Sequence, residues 1–319
     1  MSASIPIPSA SQLQGYRALT TDAALLLRPD QGLVELTGSD RVDFVQRLTT
    51  NDVAGLQPGQ AAVTVLTDPT ARILFVFTVL QQGQALELLP GPHQAEPLSR
   101  HLQGQIFFMD QVQVRERSSA FVRMRLMGPK AHQHLEQIGL PVPEAHGRFL
   151  EEDDVRVVRE ERLEVPGFEL VVPRERAEGI AQALARAGAS PVDPPTYAIR
   201  RVELGLGGYG HEFIADYTPL EVGLAWACSE HKGCYTGQEV IARQITYDKI
   251  TRRLVQLHGP EPLPEGADLL AQGRKVGRIT SSVHSLEREG PLALAVVRRP
   301  HHAPGTRLAL ANGLEATVA

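Results

Sequence analysis

The sequence predicts an α+β chain of two α+β lobes followed by a small C-terminal β-barrel or sandwich. Three observations carry this. Mixed strand and helix patterns run through residues 1–118 and begin again over 119–248. From residue 249 onward the helices give way to short strands separated by Gly and Pro turns. The length of 319 residues exceeds one ordinary domain.

The elements follow in order. Residues 1–15, with two prolines and several serines, read as a flexible lead-in. "GLVELTG" (32–38) alternates as a strand. Ser39 and Asp40 then offer an N-cap for "RVDFVQRLTT", whose Val42, Val45 and Leu48 recur at helical spacing. "AAVTVLTD" and "RILFVFTVLQ" are rich in β-branched and aromatic residues, and "PTA" between them marks a hairpin turn. "ALELLP" adds a strand, "PHQAEPLSRHLQ" a helix ending at Gly104, and "VQVRER" a strand. In the second round "AFVRMRLMG" is a strand, and "PKAHQHLEQIG" is a helix with Pro near its start and Gly at its end. "VRVVREERL" and "FELVVP" are strands, and "RERAEGIAQALARAG" is a helix closed by Gly188. Pro194 and Pro195 open a further helix with Tyr197, Ile199, Val202 and Leu206 on its apolar face. "RRLVQLHG", "GRKVGRITSS", "LALAVVRR" and "RLALANGLEATVA" supply the strands of the last domain.

Composition narrows the function. Net charge is −5 and the isoelectric point is near 6.1, which argues against direct nucleic-acid binding. No apolar run reaches the roughly 20 residues that cross a bilayer. The N-terminus lacks a charged segment followed by an apolar one, so a cytoplasmic protein is expected. The two cysteines, Cys228 and Cys234, exclude a disulfide framework and fall short of the four thiolates of a resident iron–sulfur cluster.

Four stretches hold candidate chemistry. "GLGGYG" places Gly205, Gly207 and Gly210 in the spacing of a dinucleotide site, but it follows a helix where that motif follows a strand; C-cap and turn glycines explain it better. Cys228, His231 and Cys234 have a metal-like spacing without a fourth ligand, and no stable metal is expected. In "HKGCYTGQEVIAR" (231–243), Gly233 and Gly237 bracket Cys234, and a helix begins after it with Glu239 in the first turn. Lys232 and that helix end would favour a thiolate; burial would instead make Cys234 a small hydrophobe, and exposure decides between the two. Arg243, Lys249, Arg252 and Arg253 form a basic run that is either a solvated face or a grip for carboxylates.

At "KGCYTGQEVIAR" the chain resembles the YgfZ family of folate-binding proteins, relatives of the glycine cleavage system T-protein. Lys232, Gly233, Cys234, Tyr235, Gly237, Gln238 and Glu239 match the motif. "LTTNDV" (48–53), "MGPKA" (127–131), "GFELVVP" (167–173) and "RRVELGLGGYGHE" with "TPLEVGL" (200–224) are also similar.

The resemblance implies three domains in a ring around a central cavity for tetrahydrofolate or a one-carbon derivative; a monomer is expected, though the sequence itself does not reveal the oligomeric state. It implies that Glu169 faces the pterin, since a carboxylate accepts from two neighbouring N–H groups at once. It makes Tyr209, Trp226 and Tyr235 aromatic walls, with Gln238, Glu239 and Arg243 as further contacts. Arg252 or Arg253 would meet the glutamate tail. Cys234, assisted by Lys232, would be the functional thiol. The implied role is support of iron–sulfur cluster assembly or repair, with cluster proteins or radical tRNA-modifying enzymes as partners.

One departure separates the relatives. Where the T-protein carries an acidic pair, this chain has Phe75 and Val76, and neither Asp68 nor Asp110 takes that place. Aminomethyl transfer then lacks its proton-handling carboxylate. The alternative, a folate-dependent one-carbon transferase, would need another acid–base group, with His211 or Glu212 available.

Overall fold

The computed structural model describes residues 9–319. The lead-in reading holds nothing for 1–8, which lie outside the described residues, and is corrected from Ser9 onward. Helix α1 (Ala10–Thr21) begins in a capping box: the Ser9 hydroxyl accepts from Gln12 N, and the Gln12 side chain accepts from Ser9 N. Tyr16, Ala18 and Leu19 then anchor the helix by burial.

In chain order come β1 (Ala24–Arg28), β2 (Val34–Thr37), α2 (Arg41–Leu48), β3 (Ala61–Thr67), β4 (Ile73–Gln81), β5 (Leu86–Pro90), α3 (Ala95–Gln103) and β6 (Gln113–Glu116). Strands β2 to β6 form an antiparallel sheet of order β3-β4-β5-β2-β6. Its inner face packs Leu36, Phe77, Leu86 and Leu88 against Phe44 of α2 and Leu98 of α3. The predicted hairpin forms, its turn tied by Asp68 Oδ1, which accepts from the backbone of Thr70 and Arg72.

The second lobe contains β7 (Phe121–Met127), α4 (Ala131–Gln137), β8 (Phe149–Glu152), β9 (Val155–Glu160), β10 (Gly167–Pro173), α5 (Arg174–Arg186), β11 (Ser190–Pro191) and α6 (Pro194–Glu203). Its sheet has the order β11-β1-β7-β10-β9-β8. Strand β1, and α1 packed on it, thus belong to the second lobe although they precede the first in sequence, so a first lobe of residues 1–118 takes in too much. The cause is pairing across about a hundred residues: Ala24 to Arg28 lie opposite Met127 to Arg123. No local pattern marks such a partner.

Helix α7 (Gln238–Thr246) leads into β12 (Arg252–His258), β13 (Asp268–Ala271), β14 (Arg274–Ser285), β15 (Gly290–Arg298), β16 (Arg307–Leu310) and β17 (Glu315–Val318). These close into a barrel of order β12-β15-β14-β13-β16-β17, filled by Leu257, Ile279, Ala295 and Leu308. The α+β class with two lobes and a C-terminal barrel is therefore the observed architecture, and the barrel displaces the sandwich.

Where the two lobes and the barrel meet, an apolar cluster fills the space. It joins Val65, Ile73 and Val76 of the hairpin, Leu163 of the second lobe, Phe213, Tyr217 and Leu224 of the connection to the barrel, and Val296 of β15.

Candidate functional site

The "KGCYTGQE" segment is a strap laid on the first lobe. Lys232 Nζ donates to the carbonyls of Gln46, Thr49 and Asn51, each at 2.6 Å, and so caps the C-terminal end of α2. Burial lowers its pKa to about 8. All three of its protons are engaged there, so its ammonium serves α2, a departure from the expected service to the Cys234 thiol. Thr67 Oγ1 donates to the Thr236 carbonyl, which holds the strap at one more point, and the Thr50 hydroxyl donates to the Ala227 carbonyl in the segment that leads into it. The fold thereby joins "LTTNDV" to "KGCYTGQE".

Cys234 is exposed and free, and Cys228 is buried and free. Burial pushes the Cys228 thiol up to about 12, which keeps it protonated. Gly237 is the N-cap of α7 with φ 82°, so Cys234 lies outside the first turn of the helix. Tyr235 is buried with Ala71, Leu220 and Ile241 and packs as a core residue. Gln238 starts α7; Glu239 and Arg243 are exposed and pair with each other at 2.5 Å. Among the described residues no group of three or more His, Cys, Asp or Glu side chains stands close enough to hold a metal ion.

Glu169 sits on β10 inside a buried ionic network. The register sets Arg28 opposite Arg123 and Glu169 opposite Arg125, all on the sheet face turned away from Met124 and Leu126. Arg123 Nε lies 2.7 Å from Glu169 Oε1 and Arg28 Nη1 3.0 Å from Oε2. Arg28 also grips Glu164 at two points, 2.8 and 3.0 Å, and Arg125 meets Glu160 at 3.1 Å. Burial would raise the Glu164 pKa, but Arg28 and Arg125 outweigh it and leave it at about 2. The free space beside Glu169, Leu163 and Tyr209 is about 10 Å³, room for one water. Glu169 therefore meets arginines where a pterin was expected.

A wider cleft of about 220 Å³ adjoins this network, sharing Glu164 and Tyr209 with it. It opens between the end of β1, α6 and the turn 207–213, with Tyr197, Tyr209 and Phe213 as walls and Arg28, Arg201 and His211 around them. Tyr209 is held by Phe213, edge to face at 5.5 Å, and by Gly91, where a Cβ would stand 2.2 Å from its ring. Tyr197 Oη and Arg28 Nε are buried without a hydrogen-bond partner. Trp226 stands elsewhere, half-buried beneath the Arg162 guanidinium at 4.4 Å.

The remaining candidates separate. Glu212 is fully buried and satisfied by Arg201, Gly208 N and Ser281 Oγ, which makes it structural. His211 lines the cleft, and its Nδ1 lies 3.0 Å from Glu265. Phe75 packs against His101 at 5.7 Å and Val76 is buried in the central cluster. Arg252 pairs with Glu221 at 2.8 Å. Arg253, the next residue along the strand, points to the opposite face and is exposed, so the two cannot share one tail. Gly205 and Gly210, at φ 70° and 77°, are turn residues after α6, as their position after a helix predicts.

Sequence reasoning missed Arg28, Arg123, Arg125, Glu160 and Glu164, and took Tyr197 only as part of a helix's apolar face. One signal was present: arginines at alternate positions in the apolar strand "FVRMRLM", which place two charges on one buried face.

The comparisons with known proteins follow the same architecture. Residues 10–232 match the GCVT N-terminal domain, and residues 252–318 match the glycine cleavage T-protein C-terminal barrel domain. A provisionally named chloroplastic transferase of Arabidopsis thaliana is 27% identical over 293 residues, 90% of this chain and 68% of that protein. An aminomethyltransferase of Nostoc is 29% identical over 314 residues, 92% of this chain and 81% of the relative. The crystal structure of glycine cleavage system aminomethyltransferase T from Bartonella henselae superposes with a TM-score of 0.88 at 23% identity, covering 98% of this chain and 90% of that one, and shares its fold.

Proposed function

The chain belongs to the family of the GCVT N-terminal domain, and from that premise we propose that it binds tetrahydrofolate or a one-carbon derivative and serves folate-dependent one-carbon transfer. The observation that carries this is the cleft beside Tyr209, with aromatic walls and with two wall residues, Tyr197 and Arg28, that each keep a buried polar atom, Oη and Nε, without a hydrogen-bond partner. At about 220 Å³ it is smaller than the roughly 300–1,000 Å³ that encloses a whole drug-sized ligand, so it takes the pterin head and leaves the tail outside. In this reading Glu164, at the cleft wall and held by Arg28, is the carboxylate that meets the pterin edge, and Glu169 supports it through Arg28. His211 is the acid–base group of this reading: Glu265 holds its Nδ1, which leaves Nε2 for proton transfer.

Calorimetric titration with tetrahydrofolate tests the proposal. Saturable binding, weakened several-fold by Tyr197→Phe, supports it; absence of binding at millimolar folate overturns it. A transferase further requires turnover of an aminomethyl or methylamine donor that His211→Asn abolishes.

The exposure of Cys234 favours a second reading, close to the YgfZ resemblance. There the chain is a cytoplasmic, monomeric folate protein whose thiol supports iron–sulfur cluster proteins or radical tRNA-modifying enzymes. Cys234→Ala then folds, binds folate and fails to sustain cluster-enzyme activity in cells. Full activity with the variant removes this reading.

A further inference from the structure

The seam between the barrel and the first lobe holds a second cleft, of about 420 Å³, apart from the one that takes the pterin head in the proposed function. Arg72, Arg252, Lys275, Arg278 and Arg298 line it, with Asp216 as the one carboxylate on its walls. That is a local concentration of positive charge on a chain of net charge −5.

The barrel register builds this face. Arg252 on β12 stands directly opposite Arg298 on β15, and Arg278 on β14 stands opposite Val296, two residues before Arg298. The three arginines therefore share one side of the sheet. Like charges directly across a strand pair destabilise it, so the Arg252–Arg298 pair favours a bound anion. Part of the charge is answered within the protein. Glu221 takes Arg252 at 2.8 Å and Arg72 at 3.5 Å, and Asp268 takes Lys275 at 2.6 Å. The Tyr217 ring lies 5.3 Å from the Arg252 guanidinium, and Arg72 Nη1 donates to the Asp216 carbonyl at 2.8 Å. Arg278 donates to the Gly266 carbonyl, and among the described residues neither it nor Arg298 has a carboxylate within ion-pair distance. Two solvent-facing guanidinium groups without a carboxylate, that of Arg278 held by Gly266, thus stand beside two arginines whose charge is answered, the arrangement that receives forked oxyanions.

We propose that this cleft binds a compact multivalent oxyanion, presenting phosphate or carboxylate oxygens, that bridges the first lobe and the barrel. It shares no wall residue with the cleft beside Tyr209, and the apolar cluster of Phe213, Tyr217 and Val296 lies between the two. The anion therefore does not compete with the pterin head for space.

The test is calorimetric titration of the full chain with inorganic pyrophosphate and, separately, with citrate, at low and high salt. One of them binds saturably, and which one does so assigns the oxygen chemistry; binding weakens with salt. Arg298→Gln weakens it about tenfold or more, whereas Arg307→Gln, an exposed arginine of β16 outside the cleft, leaves it unchanged. Without anion the unfolding midpoint of Arg298→Gln equals or exceeds that of wild type, because a like-charge pair is relieved, so lost binding is not lost folding. The bound anion raises the wild-type midpoint. Failure of both anions to bind saturably overturns the proposal, as does equal weakening by Arg307→Gln. Tetrahydrofolate titration of Arg298→Gln is unaffected, which keeps this outcome distinct from that of the folate reading.

Discussion

Arg28 Nη1 lies 3.0 Å from Glu169 Oε2, a contact across 141 residues that ties the first strand of the chain to the middle of the second lobe. Both side chains are almost fully buried. The pair makes Glu169 a structural group first, since it balances Arg28 and Arg123 where all three side chains are almost fully buried.

Replacing Glu169 by Ala leaves those two guanidinium groups without their shared carboxylate. The expected cost is about 3–5 kcal/mol of folding stability, the range for breaking a buried ion pair. Urea unfolding measures it, and a change below about 0.5 kcal/mol, ordinary for a surface site, would refute the structural role. Because this variant disturbs the fold, Tyr197→Phe is the better probe of the cleft.

Acid should weaken the same network. Glu164 titrates at about 2 in the fold against an ordinary 4.5, because Arg28 and Arg125 outweigh its burial. A depressed carboxylate contributes stability that is fully present above 4.5 and is lost as pH falls through about 2. The urea midpoint should thus fall steeply over that window. Glu164→Gln should start lower at neutral pH and fall less; parallel curves for the two proteins would contradict the assignment.

Lys232→Met keeps the apolar stem and removes three hydrogen bonds to the end of α2. Carbonyls left unpaired there should cost roughly 1–3 kcal/mol. Cys234→Ser, at an exposed position, should stay within about 0.5 kcal/mol of wild type. Comparing their unfolding curves checks both. Equal losses would return the lysine and the thiol to a single shared role.

Thiol labelling gives a further check on the strap. Cys234 should react in the native protein, while Cys228, buried and held protonated with its pKa near 12, should react only on unfolding. Two fast thiols would mean that the segment opens.

The order of strands and helices was legible in the sequence wherever a local period or a turn residue marked it. The hairpin at Asp68, the helix opened at Pro194 and the strands of the barrel were read this way, as was the turn role of Gly205 and Gly210. Helix α1 was not, since serines and prolines ahead of it suggested a loose end while its anchor is burial against α6 and β1. Strand β1 was not either, because its partner lies a hundred residues on.

The candidate site divides along the same line. Residue identities by themselves supplied the strap segment with its glycines and thiol, while the missing acidic pair at Phe75 and Val76 and the interest of Glu169 came from the family resemblance. Tertiary structure alone decided what each group faces. It turned Lys232 toward α2, sent Arg252 and Arg253 to opposite faces, and closed Glu169 behind arginines. The physical reason is that spacing along the chain fixes the face of a local element, whereas charge partners are set by register and packing between distant segments.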